Sequence, residues 1–256
     1  RHLDPHDLFL TRAIWPFLEH FIWPEAGTRA FFIRYEDEQG LHLRLRLRAK
    51  QAHVRDTLAP ALEAWLANRA TWTEVAYEPE TDRYGGPEGL ALAEEHFHQS
   101  TRVVLTRLHA QESYGDALFD VLRLHTILAY AARMTRAEAA EYFGRLADQW
   151  LLVFFQPGEI GWEEQVKAEF EAAAVQQKDE VGEVLQALWS DLEAQKPADM
   201  PPEWRRWLRA NQSILPQFGD KLEKVLPSLL HLSGNRMGLH NQDEVYLLYL
   251  LSKTIG

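Results

Sequence analysis

The chain has 256 residues, a formal charge of −11 and no cysteine. That length fits one large domain or two small ones, the missing cysteines exclude disulfides and thiolate metal ligands, and the acidic balance disfavours general binding to phosphate backbones. Its apolar runs, such as Trp150 to Phe155, are far too short to span a bilayer; the chain opens at Arg1 rather than Met, which leaves room for a trimmed or excised segment, and the visible residues carry no signal peptide, so a cytoplasmic globular protein is expected.

The opening "HDLFLTRAIWPFLEHFIWP" reads as partly helical, punctuated by Pro16 and Pro24. "TRAFFIRY" is rich in β formers, "EDEQG" is a turn, and "GLHLRLRLR" follows, which predicts a β-hairpin. In that second strand Leu41, Leu43, Leu45 and Leu47 fall on one parity, and His42, Arg44, Arg46 and Arg48 on the other. Successive strand side chains point to opposite faces, so one face is all leucine and the other all basic. "AHVRDTLAPALEAWLANR" predicts a helix with Pro60 as its weak point. Thr73 to Glu80 predicts a third strand, ended by Pro79, and "TDRYGGPEG" a loop.

From there the pattern is helical. Gly89 to Gln111 and Tyr114 to Met134 are amphipathic; Thr135 with Glu138 forms a capping box for the next helix; Trp162 to Gln195 is long and charged, with one side facing solvent. The stretch Lys196 to Ala210 breaks and restarts a helix at Pro201 and Pro202. A last helix pair is joined by "HLSGNRMGLHNQD", His231 to Asp243. The expected fold class is α+β, a small antiparallel sheet near the N-terminus followed by a predominantly helical remainder, with residues 1–256 as a single domain.

Polar groups cluster in the basic strand face, the "YEPETDRYGGPEG" loop and "HLSGNR". Each has a plain structural explanation. Charges on an edge strand keep it from pairing with other chains. A Gly-Gly loop is commonly just a turn, and this one lacks the Gly-Lys-Ser/Thr ending of a phosphate loop. His and Arg between helices commonly cap them. His96 and His98, two apart on a helix, fall on different faces and make a poor metal pair. The nine tryptophans read as core residues.

Together the clusters are distinctive. "FFIRYEDEQGLHLRLRLR", then "YEPETDRYGGPEGLALAEEHFHQST", then "LLHLSGNRMGLHNQDEVYLLYLL" resemble, over nearly the whole chain, the C-terminal elimination domain of LanB-type lantibiotic dehydratases. That domain also occurs as a free-standing protein in thiopeptide-type bacteriocin biosynthesis. The resemblance implies a lyase. A separate tRNA-dependent subunit would esterify Ser or Thr of a ribosomally made precursor peptide with glutamate, and this chain would eliminate the glutamate to leave dehydroalanine or dehydrobutyrine. Arg44 and Arg46 match the family's strand arginines, Arg83 the arginine before Tyr-Gly-Gly, Glu80 its acidic neighbour, and His231 the histidine before Asn-Arg. Family members often carry a second histidine where this chain has Ser233.

The expected roles follow from the chemistry. Arg44 and Arg46 bind the glutamyl side-chain carboxylate or the departing carboxylate through strong charge-assisted bonds. Arg83, held by Glu80, stabilises negative charge developing on the substrate. His231 moves the proton, as base at Cα or as acid at a leaving oxygen. Gly85 and Gly86 let backbone approach the substrate, and Arg34, Tyr35, Tyr84, Asn235 and Arg236 belong to the same substrate-binding motifs. No metal or other cofactor is implied, nor any direct nucleic-acid contact; self-association into a homo-oligomer stays open. Two other functions remain: a thiopeptide pyridine synthase joining two dehydroalanines by formal [4+2] cycloaddition, and a non-catalytic docking subunit for the precursor peptide.

Overall fold

The computed structural model describes residues 5–38, 40–110, 113–155, 158, 160–194 and 199–256. Gln39 of the expected turn, the expected helix ends Gln111 and Gln195, and residues 196–198 of the expected helix break lie outside the described residues.

The chain enters through α1 (Pro5–Phe9), a π turn (Leu10–Ile14) and α2 (Trp15–Phe21). Pro16 gives no N–H to the ladder, and the turn before it widens instead of breaking. The same device recurs in α3 (Gln51–His53), a π turn (Val54–Leu58) and α4 (Ala59–Leu66). The expected weak point at Pro60 is absorbed there, with the proline in the first turn of α4.

Between these helices lies the hairpin of β1 (Arg29–Asp37) and β2 (Gly40–Arg48), an antiparallel sheet in which Arg29 faces Arg48 and Tyr35 faces His42. The strand period sorts the two faces. Leu43, Leu45 and Leu47 pack on the core beside buried Ala30 and Phe32, while Leu41 stays exposed. His42, Arg44, Arg46 and Arg48 share the other face with Tyr35, Ile33, Phe31 and Arg29.

The second edge of β1 is closed by side chains. Arg34 N–H donates to Asn235 Oδ1 at 2.9 Å, and Asn235 Nδ2 donates to Arg34 O at 2.9 Å. The carboxamide thus stands in for one peptide unit of a neighbouring strand. Four residues away, Ala30 N–H donates to His98 Nδ1 at 3.2 Å. With this edge taken, the expected third strand at Thr73 to Glu80 does not form. Residues 71–80 carry no regular secondary structure and are exposed. Tyr77 anchors them through its ring instead, edge-on to Phe31 at 6.2 Å and beneath the Arg46 guanidinium at 5.4 Å.

A 3₁₀ turn (Thr81–Tyr84) leads into the helical body: α5 (Pro87–Ala110), α6 (Tyr114–Ala131), α7 (Arg136–Phe154), α8 (Trp162–Glu193), α9 (Pro202–Ile214), α10 (Leu222–Met237) and α11 (Asn241–Thr254). The Thr135–Glu138 capping box forms, and Pro202 opens α9. Along α8, Ala174, Val181, Leu185, Trp189 and Leu192 are buried at helical spacing, and the rest of the helix is largely exposed. Helix α5 packs against β1, α9 and α10, while α11 packs along α7 and α8.

"HLSGNR" is not an interhelical loop; it is the last part of α10, which ends at left-handed Gly238. Its Ser, Gly and Asn look like turn residues, but each makes a packing contact. A Cβ on Gly234 would lie 2.8 Å from Glu244 Oε1, so glycine is the residue that lets α11 come this close.

Candidate functional site

Helix α10 brings two of the three sequence clusters together, the Arg83 loop and its own "HLSGNR". Ser228, His231 and Asn235 follow one another at i, i+3 and i+7, and so share one side of the helix. Asn235 holds β1 as described, and Ser228 receives Arg83: Arg83 Nε donates to Ser228 Oγ at 2.8 Å, and Arg83 Nη1 donates to Glu80 Oε2 at 2.9 Å. The expected Glu80–Arg83 pair is therefore present, and Ser228 turns it onto α10. About half of the Arg83 side chain faces solvent, so the guanidinium can still meet a ligand.

Arg83 is placed by the 3₁₀ turn, which ends on Gly85 and Gly86 at φ values of 80° and 104°. Lys221 crosses Gly85, its Nζ donating to Gly85 O at 2.7 Å; a Cβ on Gly85 would meet the Lys221 side chain at 2.6 Å. A further glycine matters as much: a Cβ on Gly89 would fall 1.8 Å from Tyr84 O, so the turn can stack on α5 only with glycine there.

One helical turn from Ser228, His231 sits in a box of its own. Its Nδ1 lies 2.8 Å from Glu244 Oε2 on α11. Phe154 stacks on the ring at 5.6 Å, and Trp150 meets it edge-on at 5.7 Å. Glu244 is almost fully buried, and its Oε1 has no hydrogen-bond partner among the described residues. Burial pushes its carboxyl above the usual range, and the bond to His231 works against that. A carboxylate at Nδ1 fixes the neutral tautomer with the lone pair on Nε2. The His231 side chain is about a quarter exposed. Such an arrangement can take up or release a proton at Nε2, with a buried acid orienting the ring.

The hairpin residues form a second group. The Arg44 guanidinium lies 3.4 Å from the Tyr35 ring centroid, and its Nε donates to His42 Nε2 at 3.2 Å. Arg44 also reaches Asp37 at 3.5 Å. Arg46 has Tyr77 beneath it and, among the described residues, no carboxylate in contact, and its pKa is lowered by burial and by Arg44. Among the described residues, no hydrogen bond, ion pair or ring contact joins Arg44 or Arg46 to Arg83 or His231.

Three motif residues are structural in their contacts. Arg34 Nη2 pairs with Asp7 Oδ1 at 2.6 Å, and its Nε donates to Arg236 O at 3.1 Å, tying α1, β1 and α10 together. Tyr84 is buried edge-on to Phe97 at 5.6 Å. Arg236 has no exposed surface; its Nη1 donates to Leu232 O at 2.8 Å and its guanidinium lies 4.8 Å from the Phe97 centroid. Its Nε and Nη2 have no partner among the described residues, and burial pulls its pKa down to about 9. Ser233, the second-histidine position, is also buried, bonded to Leu229 O at 2.8 Å and 3.4 Å from His96 Nε2. It points to the other side of α10 from His231.

Sequence reading missed Ser228, Glu244 and Asp7. Each is an ordinary polar residue near a helix start or in a helix, and only the packing of a distant element gives it a role. Among the described residues no group of three or more His, Asp or Glu side chains is placed to hold a metal ion, and no helix is long and apolar enough to cross a membrane.

A two-stranded hairpin on a helical body, with cations and a histidine–carboxylate pair gathered around one helix, defines a fold with known counterparts. The chain belongs to the family described as "Lantibiotic biosynthesis dehydratase C-term", which it matches over residues 1–255. It is similar in structure to the pyridine synthase TbtD from thiomuracin biosynthesis, with a TM-score of 0.74, 16% identity, and coverage of 99% of this chain and 94% of that one. TsrL superposes with a TM-score of 0.67 at 17% identity, covering 97% of this chain and 90% of TsrL. MibB, a tRNA-dependent lantibiotic dehydratase from Microbispora sp. 107891, superposes at 0.55 with 19% identity, covering 97% of this chain but 26% of MibB. At these identities the likeness shows the fold alone. No curated protein matches by sequence.

Proposed function

We propose that the chain, acting as a single domain, is a lyase that eliminates glutamate from glutamylated Ser or Thr of a precursor peptide. The observation that carries this reading is the meeting on α10 of Arg83, pinned by Glu80 and Ser228, with His231, pinned by Glu244 one turn away. Elimination needs both: a base for the Cα proton, and a cation for the charge that develops as the proton leaves.

His231 Nε2 takes the Cα proton, with Glu244 holding the imidazolium from behind. The Cα–H electrons form the Cα=Cβ bond, and the Cβ–O bond breaks. Glutamate departs with both electrons as a carboxylate, a good leaving group that needs little acid assistance. Arg83 faces the negative charge on the peptide carbonyl; a single oriented donor of this kind contributes about 3 kcal/mol. Arg44 and Arg46 attract the acyl group's free carboxylate to the hairpin. This reading assigns glutamylation to a separate tRNA-dependent subunit, whose product would be the substrate here.

The assay is a synthetic peptide bearing a glutamyl-serine ester, followed by mass. Release of glutamate with a dehydrated peptide is expected, and Arg83→Ala lowers the rate about 10²-fold. Unchanged ester, with the whole precursor supplied, rejects the reading; full activity in Arg83→Ala removes that residue from the mechanism. The runner-up is pyridine formation, favoured by the near-complete coverage of TbtD. A peptide with two dehydroalanines separates the two, since only a cycloaddition enzyme consumes it.

A further inference from the structure

A hollow of about 600 Å³ opens between α5 and α9, away from every residue assigned above, and Gln99, Arg102, Arg205, Arg206 and Arg209 line it. Four guanidinium groups share one concavity in a chain of net charge −11, and among the described residues no carboxylate lines it. The acids nearby are already engaged: Glu95 by Arg29 and Gln99, and Glu203 by Arg107. None of the four arginine side chains has a hydrogen bond or ion pair among the described residues. Arg102 rests over Trp23 at 5.2 Å, and its Nε is buried without a partner. Arg206 and Arg29 crowd Arg102 with like charge, against an opposing effect of Glu95; such crowding raises the energy of the charged groups, and an anion with several carboxylates relieves all four at once.

We propose that this hollow binds an acidic stretch of the peptide substrate, outside the residue that reacts; the inference rests on the peptide-substrate reading above. A peptide fits better than a nucleic acid. The cations are confined to one hollow rather than spread along a track, and the chain as a whole repels polyphosphate. The spacing also suits a peptide. Arg102 lies 15 residues beyond Pro87 on α5, roughly 22 Å along the helix axis, and Arg83 sits just before that helix. An extended peptide covers that span in roughly seven residues, so the acidic stretch falls at least that far from the modified Ser or Thr.

The test is fluorescence anisotropy of the whole chain with labelled hexaglutamate, hexaglutamine and a thymidine oligonucleotide of similar length. Hexaglutamate should bind best and weaken with added salt. The double variant Arg206→Gln/Arg209→Gln, both at exposed positions, should weaken it at least tenfold. Arg55→Gln/Lys178→Gln, the same charge change elsewhere, should leave it within twofold. Hexaglutamate binding no better than hexaglutamine, equal binding by the Arg206/Arg209 variant, or tighter binding of the oligonucleotide would each overturn the proposal. Elimination from a short glutamyl-serine peptide lacking acids is measured in parallel and should be equal in wild type and double variant. If that activity is absent while hexaglutamate binding still depends on Arg206 and Arg209, the reaction assignment fails and the acidic-peptide site stands.

Discussion

On the hairpin, Arg44 and Arg46 lie over tyrosine rings, Arg44 with a partly exposed aspartate at 3.5 Å and Arg46, among the described residues, with no carboxylate in contact. On α10, His231 is clamped by a buried carboxylate and two aromatic rings, and Arg83 reaches the same helix through a serine with a glutamate behind it. Both regions gather cations and rings, but they hold them differently. Cation–π contacts at exposed sites are worth about 0.5–1 kcal/mol each and let a side chain swing to an arriving anion. A buried hydrogen-bonded acid fixes an imidazole in one orientation. Under the proposed elimination this difference divides the labour: the hairpin would capture and α10 would react.

The division is broken or sharpened first at His231. His231→Gln should lower the elimination rate about 10³-fold, the usual range for losing a positioned base, with binding of the glutamylated peptide unchanged. A variant that retains more than a tenth of the wild-type rate places the base elsewhere. Glu244→Gln comes next. Gln can still accept from Nδ1–H, so orientation partly survives and the loss should be roughly tenfold. Its pH profile is the sharper readout. Below the raised pKa of Glu244 the carboxyl carries a proton, Nδ1 must then accept, and Nε2 loses its lone pair. Activity is therefore present above that pKa and lost as pH falls through it. The amide cannot titrate, and it also stabilises an imidazolium less well. Both effects move the acid limb of kcat/KM to lower pH in the variant; a limb that stays in place leaves Glu244 as packing only.

Asn235 tests the scaffold that joins the two regions. Asn235→Ala removes two hydrogen bonds from the edge of β1 that it closes, worth about 2 kcal/mol in all. Chemical denaturation should register that loss. Asn235→Asp should do worse than retain half the stability, because a carboxylate accepts from Arg34 N–H but cannot donate to its carbonyl.

The legibility of these regions in the sequence follows the same line. The hairpin was readable because a period of two is written in consecutive residues, from Leu41 to Arg48. Its closed edge was not, since Asn235 and His98 come from helices far along the chain, and so Thr73 to Glu80 looked like a strand with an edge to join. Helix α10 was readable as a helix up to His231. Ser233, Gly234 and Asn235 then imitated a loop, although all three face neighbours that tolerate only small or amide side chains. Arg83 with Glu80 was legible because the pair is local. Glu244 was not: an acid in the first turn of a helix is ordinarily a solvated charge favoured by the helix dipole, and only α7 and α10 packed over it make it a buried orienting group.

The smallest effects are expected on the hairpin, and they decide whether capture and reaction are separate. Arg44→Gln and Arg46→Gln each lose a guanidinium over a tyrosine face, so stability should change by less than about 1 kcal/mol. If these arginines only attract the glutamyl carboxylate, they act on the ground state and the transition state alike. KM then rises roughly three- to tenfold with kcat held, the pattern of lost uniform binding. Added salt should narrow the gap between variant and wild type, since exposed charges are screened over about 10 Å at ordinary ionic strength. A fall in kcat at unchanged KM would mean that the hairpin folds over α10 during the reaction and that Arg44 or Arg46 meets the departing carboxylate itself. The double variant is the stricter form: two independent capture groups give effects that multiply, whereas two groups gripping one carboxylate give a double variant little worse than either single one.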